Sequence, residues 1–187
     1  MSTSGRINVL GISGSLRRAS YNTAALRVAQ ELVPDGMTLA QFDLAPIPLY
    51  NEDVREKGFP PSVEDLRARI KAADAVLIVT PEYNYSIPGV LKNAIDWASR
   101  PPDQPFDGKP MAIMGASPAF TGSARSQYHL RQVFIYLNAL ILNRPEVMIS
   151  NAHTKFDEQG QLTDESARRH IRALLESLAV WVDRFRT

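Results

Sequence analysis

Residues 11–23 read Gly-Ile-Ser-Gly-Ser-Leu-Arg-Arg-Ala-Ser-Tyr-Asn-Thr, and they join an apolar run at residues 7–10 to a helical pattern at residues 24–32. The apolar run predicts a buried strand, and the spacing of the apolar residues after the loop predicts an amphipathic helix. The first N–H groups of a helix lack partners within the helix, and the helix macrodipole is positive at that end. We therefore predict that this loop binds an anion.

The donors in this loop favour a terminal monophosphate over a pyrophosphate. Arg17 offers a planar fork of N–H donors that suits a phosphate group. The loop lacks the Gly-x-Gly-x-x-Gly pattern of dinucleotide-binding loops and the Gly-Lys-Ser/Thr ending of triphosphate-binding loops. In an alternative interpretation the polar residues only cap the helix, and Gly11 and Gly14 only form the turn. The hydroxyl and amide donors are Ser13, Ser15, Ser20, Asn22 and Thr23.

The composition is that of one domain, which we expect to span residues 1–187. A hydrophobic content of 44% is enough to bury a full core in a chain of this size. The 21 Lys and Arg residues nearly balance the 20 Asp and Glu residues. The resulting net charge of +1 argues against a partner such as nucleic acid or a membrane surface.

The absence of Cys and the positions of the His residues exclude several kinds of catalytic and metal site. The chain has no Cys, which excludes disulfides, thiolate catalysis and iron–sulfur clusters. Its three His residues share no metal-ligand spacing, so we expect no metal site. No segment resembles a signal peptide, and no run approaches the ~20 apolar residues of a membrane span, so we expect a cytoplasmic location.

Strand and helix patterns alternate along the chain. The strongest strand pattern, residues 74–80, is apolar without alternation, as expected of a central parallel strand covered on both faces. The order βαβαβαβαβα predicts an α/β fold with a parallel sheet and right-handed crossovers. The other strands are predicted at residues 7–10, 38–42, 111–116 and 146–149, and the helices at 24–32, 62–73, 88–99, from 123 and from 163.

Local signals predict helix boundaries and buried faces. Ser62 and Thr163 are expected to cap two helices, and Pro88 to begin another. The proline-rich residues 44–61 are expected to be irregular. The helix from Ser123 is expected to bury Leu130, Val133, Phe134, Leu137 and Ile141, and the last helix Ile171, Leu174, Leu175, Leu178 and Val182.

Two further loops lie at the edge of the sheet where ligands bind in such folds, beyond the carboxyl ends of the strands. Residues 80–89 read Thr-Pro-Glu-Tyr-Asn-Tyr-Ser-Ile-Pro-Gly, and two prolines stiffen this loop. It suits a flat heterocycle, with Asn84 and main-chain N–H groups at its polar edge and Tyr83 or Tyr85 over a face. In the alternative, these are turn-forming residues with a ring on the surface. Residues 117–123 form the third loop, which offers Ser117.

The motifs at residues 14–23, 81–97 and 115–123 resemble those of the NADPH-dependent FMN reductase family, which includes quinone- and chromate-reducing flavoproteins. The resemblance implies a flavodoxin-like three-layer sandwich with a five-stranded parallel sheet of order 2-1-3-4-5. It also implies bound FMN, NADPH or NADH as electron donor, and a homodimer that often pairs into a homotetramer. The expected acceptor is a quinone or a similar small molecule such as a flavin, chromate, or a nitro or azo compound.

The same resemblance assigns positions to the cofactor. The FMN phosphate is expected on Ser13, Ser15, Arg17, Ser20 and Asn22, with Leu16 and Thr23 in the same binding loop. The isoalloxazine edge is expected against Pro81, Glu82, Tyr83, Asn84, Tyr85 and Ser86, with Ser117 nearby.

The implied reaction needs few protein side chains. FMN accepts hydride from the nicotinamide and passes two electrons to the acceptor in a ping-pong scheme. No general base is required, so no catalytic side chain is predicted. A carboxylate beside a flavin would disfavour its anionic reduced form, so we expect Glu82 to turn away, cap a helix or pair with a cation. Lys92 and Asp96 lie one helical turn apart, which predicts a structural ion pair.

Two other functions fit the predicted fold, that of an electron carrier and that of a non-redox binding module. A flavodoxin-type electron carrier would dock through a strongly acidic face, which the net charge disfavours. A non-redox phosphate-binding module would not need residues 83–85.

The helix after Ser123 carries additional aromatic residues that suggest a subunit interface. The residues expected there are Tyr128, Phe134 and Tyr136, with Arg125 and Arg131 as ion-pair candidates for Glu146.

Overall fold

A computed structural model describes residues 5–186 and contains a parallel sheet between two layers of helices. The strands are β1 (Ile7–Ser13), β2 (Met37–Phe42), β3 (Ala75–Val79), β4 (Pro110–Ala116), β5 (Leu140–Ile141) and β6 (Val147–Ile149). The helices are α1 (Tyr21–Glu31), α2 (Glu52–Arg55), α3 (Pro61–Ala72), α4 (Gly89–Ala98), α5 (Ala124–Tyr136) and α6 (Glu165–Asp183), with a 3₁₀ turn at Ala152–Thr154. Within the described residues, no helix is both long and apolar enough to cross a membrane.

The strand order confirms the expected 2-1-3-4-5 arrangement, but two short strands share the fifth position. The sheet runs β2-β1-β3-β4-β5, and β6 also pairs with β4. Pro110 at the start of β4 lies opposite Leu140 of β5, and Ala116 at its end lies opposite Ile149 of β6. The prediction of one strand at residues 146–149 therefore missed β5, which is too short to show a strand pattern.

The core has one part on each face of the sheet. Helices α1 and α6 pack on one face, and α3, α4 and α5 pack on the other. All five residues of β3 are buried, and they alternate between the two parts of the core. This arrangement explains the uninterrupted apolar run at residues 75–79, within the strand predicted at residues 74–80. The predicted inward residues of α6 are all buried.

Three boundary predictions were wrong. Ser62 does not cap α3: Pro61 opens the helix, because its missing N–H and fixed φ suit that position, and the Ser62 hydroxyl donates to the Pro46 carbonyl. Thr163 does not cap α6: the Asp164 side chain accepts from the Ala167 N–H at 2.7 Å. The short helix α2 interrupts residues 44–61 and is capped by Asn51.

The predicted inward stripe of α5 also needs correction. The helix ends at Tyr136, and Asn138 then adopts a left-handed conformation with φ 54° that redirects the chain. Ile141 consequently lies in β5 rather than on the helix. Phe134 is fully buried, as its place in the predicted stripe implied, and packs against Phe106 with ring centroids 5.4 Å apart. It therefore does not contribute to the aromatic surface to which it was also assigned.

We predict that Gly115→Ala destabilises the fold, because the new methyl group would overlap the Thr80 carbonyl oxygen and the Ser123 hydroxyl. One of these atoms is backbone in a buried loop, so relief requires movement of the chain, and overpacking typically costs about 1–3 kcal/mol. The matched control is Gly89→Ala, where a Cβ meets no atom within 4 Å at the start of α4. In urea unfolding experiments, the midpoint urea concentration should be lower than that of the wild type for Gly115→Ala but not for Gly89→Ala. Equal midpoints for Gly115→Ala and the wild type would contradict this account of the packing.

Candidate functional site

The loops after β1, β3 and β4 meet at the carboxyl edge of the sheet and enclose a cleft of about 460 Å³. These are the three loops that were selected from the sequence. A cleft of this volume lies within the range typical of cofactor and small-ligand sites. Its walls are formed by Ser15, Arg17, Ser20, Tyr21, Asn22, Pro81, Glu82, Tyr83, Ala116, Ser117 and Pro118.

The Asn22 side chain joins the first loop to the third. Its Nδ2 donates to the Ala116 carbonyl at 2.9 Å, and its Oδ1 accepts from the Ala116 N–H at 2.8 Å. Ala116 is the last residue of β4 and lies beyond the end of β3 at Val79. The Asn22 side chain therefore makes the hydrogen bonds to Ala116 that a neighbouring strand would otherwise make. One of the two N–H groups of its amide remains available to a ligand.

Ser20 caps α1, which is the role that the alternative interpretation of this loop gave to its polar residues. Its Oγ accepts from the N–H groups of Asn22 and Thr23 at 3.2 and 3.4 Å, which leaves its own hydroxyl proton free to donate into the cleft. Beneath this cap the Ser13 and Thr23 hydroxyls pair at 2.9 Å. Ser13 and Thr23 thus lie outside the cleft wall and support it.

Arg17 is the cationic group of the cleft. Within residues 5–186 its guanidinium has no hydrogen bond or ion pair, and it lies 5.4 Å from the centroid of the Tyr21 ring. Helix α1, whose N-terminus faces this loop, has no acidic residue in its first turn. The free guanidinium and the positive helix end together favour an anion in the cleft. Leu16 lies half-exposed outside the wall.

The second loop contains a tight hairpin turn at residues 83–86. The N–H groups of Tyr83 and Ser86 each donate to the carbonyl of the other residue, at 3.1 and 3.0 Å. Between them Asn84 and Tyr85 have φ of 48° and 67°, so both are left-handed, as a type I′ turn requires. Asn tolerates this region, but for a bulky residue such as Tyr it is strained. Strained backbone of this kind clusters at functional sites.

Arg125 and Glu82 support this turn. The Arg125 guanidinium lies 3.6 Å from the centroid of the Tyr85 ring and pairs with Glu82 Oε1 at 2.6 Å. Glu82 Oε2 also accepts from the Arg125 N–H at 2.9 Å, and this capping contact replaces one that Ser123 does not make. The expectation that Glu82 caps a helix and pairs with a cation is confirmed. Arg125 is therefore not available as the predicted partner of Glu146.

The remaining predicted residues lie at or near the cleft. The Tyr83 hydroxyl lies 3.5 Å from the Ser15 Oγ, across the cleft. The Ser86 Oγ lies 3.0 Å from Nδ1 of His129 on α5, and Asn84, Tyr85 and Ser86 are outside the wall. Ser117 lines the cleft, and its Oγ accepts from the Ala119 N–H.

Sequence reasoning missed three wall residues: Tyr21, Ala116 and Pro118. Each lies beside a residue that was predicted to bind the cofactor. Ala116 and Pro118 carry no side-chain donor, and the aromatic ring of Tyr21 did not single it out among the hydroxyl residues of the loop. The predicted ion pair between Lys92 and Asp96 is present at 2.7 Å. In the part of the chain that the structure describes, no cluster of three or more His, Asp or Glu side chains could hold a metal ion.

Comparison with known proteins agrees with this geometry. The family model for NADPH-dependent FMN reductase matches residues 7–154. The NAD(P)H-dependent FMN reductase of Pseudomonas aeruginosa is 61% identical over 180 residues, covering 96% of this chain and 97% of the relative. The quinone reductase of Escherichia coli K12 is 44% identical over 182 residues, covering 96% and 97%.

A solved structure shows the same similarity in three dimensions. The flavoenzyme NAD(P)H:(acceptor) oxidoreductase FerB from Paracoccus denitrificans superposes with a TM-score of 0.86 at 34% identity, covering 95% of this chain and 98% of that one. On the strength of the cleft, the motifs and these relatives, the chain belongs to the NADPH-dependent FMN reductase family.

Proposed function

We propose that this protein holds FMN in the cleft and uses it to transfer electrons from NADPH or NADH to a quinone or a similar small acceptor. The observation that carries the proposal is the free Arg17 guanidinium beside the N-terminus of α1, in a cleft closed by two further loops. The names of the relatives, an FMN reductase and a quinone reductase, support the same reaction.

The donor set of the first loop fits the phosphate end of FMN. Arg17 and the Ser20 hydroxyl have donors to spare, and the positive end of the α1 macrodipole lies at the same loop. The one carboxylate in the wall, Glu82, is held by Arg125 and by the N-terminus of α5, which offset its charge. A terminal phosphate dianion thus meets several donors and no free carboxylate.

The other two loops fit the ring system. Pro81 and Tyr83 of the second loop and residues 116–118 of the third loop all line the cleft, so a flat group there lies against these segments. The turn at residues 83–86 and the Asn22 contact hold these walls in place before any ligand binds. We assign the direct FMN contacts to the predicted residues that line the cleft, Ser15, Arg17, Ser20, Asn22, Pro81, Glu82, Tyr83 and Ser117, and add Tyr21, Ala116 and Pro118. The other predicted residues, Ser13, Leu16, Thr23, Asn84, Tyr85 and Ser86, belong to the same loops outside the wall, and we assign them a supporting role.

Bound FMN supplies two-electron redox chemistry, so the chain itself binds, orients and shields the reactants. We expect donor and acceptor to bind at the same face of the bound cofactor, so they would use the cleft in turn. Double-reciprocal plots of rate against NADPH concentration at several quinone concentrations should then be parallel. Intersecting lines would mean that both substrates bind together and would contradict a shared site.

We predict that Arg17→Ala weakens FMN binding by roughly ten- to a hundredfold, because a charge-assisted contact to phosphate is typically worth about 1.5–3 kcal/mol. The matched control is Arg18→Ala, which removes the same charge from the neighbouring exposed residue that is not part of the cleft wall. FMN affinity can be measured by fluorescence titration of the apoprotein. Equal losses in the two variants would show that only general charge matters, and no loss in Arg17→Ala would remove it from the site.

We also propose that the protein forms a homodimer or homotetramer through α5. The exposed face of this helix carries Tyr128, Ile135 and Tyr136, which are 49%, 76% and 87% exposed. Apolar side chains grouped in this way favour a protein interface. Light scattering at micromolar protein should give a dimer or tetramer, and the double variant Ile135→Ser with Tyr136→Ser should lower the mass. A monomeric wild type would refute the assignment.

Two expectations stay predictions from the sequence. The cytoplasmic location and the organisation of residues 1–187 as a single FMN-binding domain are both typical of a chain with this composition.

A further inference from the structure

A second cavity, of about 450 Å³, lies away from the cleft, where the interrupted fifth strand meets the C-terminal half of α6. Residues 142–144, between β5 and β6, form one side. The other side is a single stripe of α6, since residues 176, 177, 180, 181 and 184 recur at helical spacing. This stripe faces away from Leu174, Leu178 and Val182, which enter the core.

The cavity is remote from the FMN cleft. β5 pairs with the first residues of β4, Pro110 and Met111, whereas the cleft lies beyond the last. The end of α6 points the same way, because Arg186 at its C-terminus pairs with Asp74 just before β3. The two sites therefore share no lining residue and lie toward opposite edges of the sheet.

The cavity combines an apolar floor with two unpartnered cations. Trp181 is partly exposed, its indole N–H is fixed to the Leu140 carbonyl at 2.7 Å, and Val180 beside it is 58% exposed. Arg184 lies 5.7 Å from the centroid of the Trp181 ring. Among residues 5–186, neither Arg184 nor Arg144 forms an ion pair or a side-chain hydrogen bond. Glu176 is the one carboxylate in the wall, so the charges sum to +1.

We propose that this cavity is a binding site for a planar aromatic carboxylate. The indole of Trp181 with Val180 and Leu142 offers an apolar surface for a ring, and aromatic groups pack favourably on such a surface. The two guanidinium groups provide forked donors of the geometry that a carboxylate accepts. A ligand that matches one apolar wall and one net positive charge is a small molecule with a flat apolar ring and a single negative charge. This site is independent of the proposed FMN-dependent reaction.

The FMN-bound protein can be tested with 2-naphthoate as the probe. The chain has two Trp residues, and Trp97 is fully buried and hydrogen bonded to the Pro48 carbonyl. With 5-fluorotryptophan incorporated, ¹⁹F NMR should therefore show two resonances, which the Trp181→Phe variant assigns. We expect 2-naphthoate to shift the Trp181 resonance and leave that of Trp97 in place, even when FMN fills the cleft.

Variants test the role of charge. The double variant Arg144→Ala with Arg184→Ala should weaken 2-naphthoate binding, measured by calorimetry, by about tenfold or more, as expected for lost charge-assisted contacts. The matched control is Arg172→Ala, an exposed arginine of α6 outside the cavity wall, which should bind as wild type does. An unchanged Trp97 resonance shows that each variant is folded.

Three results would overturn the proposal. The first is a Trp181 resonance that does not move at millimolar 2-naphthoate. The second is equal affinity for the neutral 2-naphthamide, which would make the arginines irrelevant. The third is a mass that falls when the arginines are replaced, which would mean that a second copy of the chain covers the cavity.

Discussion

The site depends first on the pairing of the Asn22 amide with the main chain of Ala116. β6 pairs with one side of β4 here, but β3 ends at Val79 on the other side, so the N–H and C=O of Ala116 have no strand partner on that side. Leaving such buried polar groups unpaired would be costly. Asn22 satisfies both with one side chain from the first turn of α1. That contact fixes the position of the first loop, with its anion-binding donors, relative to residues 116–118 of the third loop. A cofactor placed between them meets walls that are already positioned.

The second loop has its own support, and that support comes from α5. Arg125 in the first turn of this helix stacks on Tyr85 and pairs with Glu82, so the left-handed conformation at Asn84 and Tyr85 is held from outside the turn. The exposed residues Ile135 and Tyr136 lie near the other end of the same helix. Subunit contacts at that face would therefore act on the rigid element that also positions the cleft.

Local signals in the sequence predicted the features that depend on neighbouring residues. The anion-binding loop, the apolar run of β3 and the inward face of α6 all have periodicity or donor content that a short window shows. Sequence reasoning fell short where a distant contact decides the structure. The Asn22 amide pairs with Ala116, 94 residues away, and no local pattern indicates that contact. Phe134 was predicted to be buried but was also counted with the aromatic surface, from which Phe106 excludes it. The two-residue strand β5 forms because it pairs with the edge of β4, which no local pattern shows.

The central claim is that one cleft holds FMN and serves donor and acceptor in turn. The most direct test is an anaerobic titration of the purified protein with NADPH, followed by removal of the nucleotide and addition of a quinone. The account predicts that NADPH bleaches the yellow absorbance of bound FMN and that one equivalent of quinone restores it with no nucleotide present. Absorbance that NADPH does not bleach, or that quinone restores only while the nucleotide remains, would contradict it.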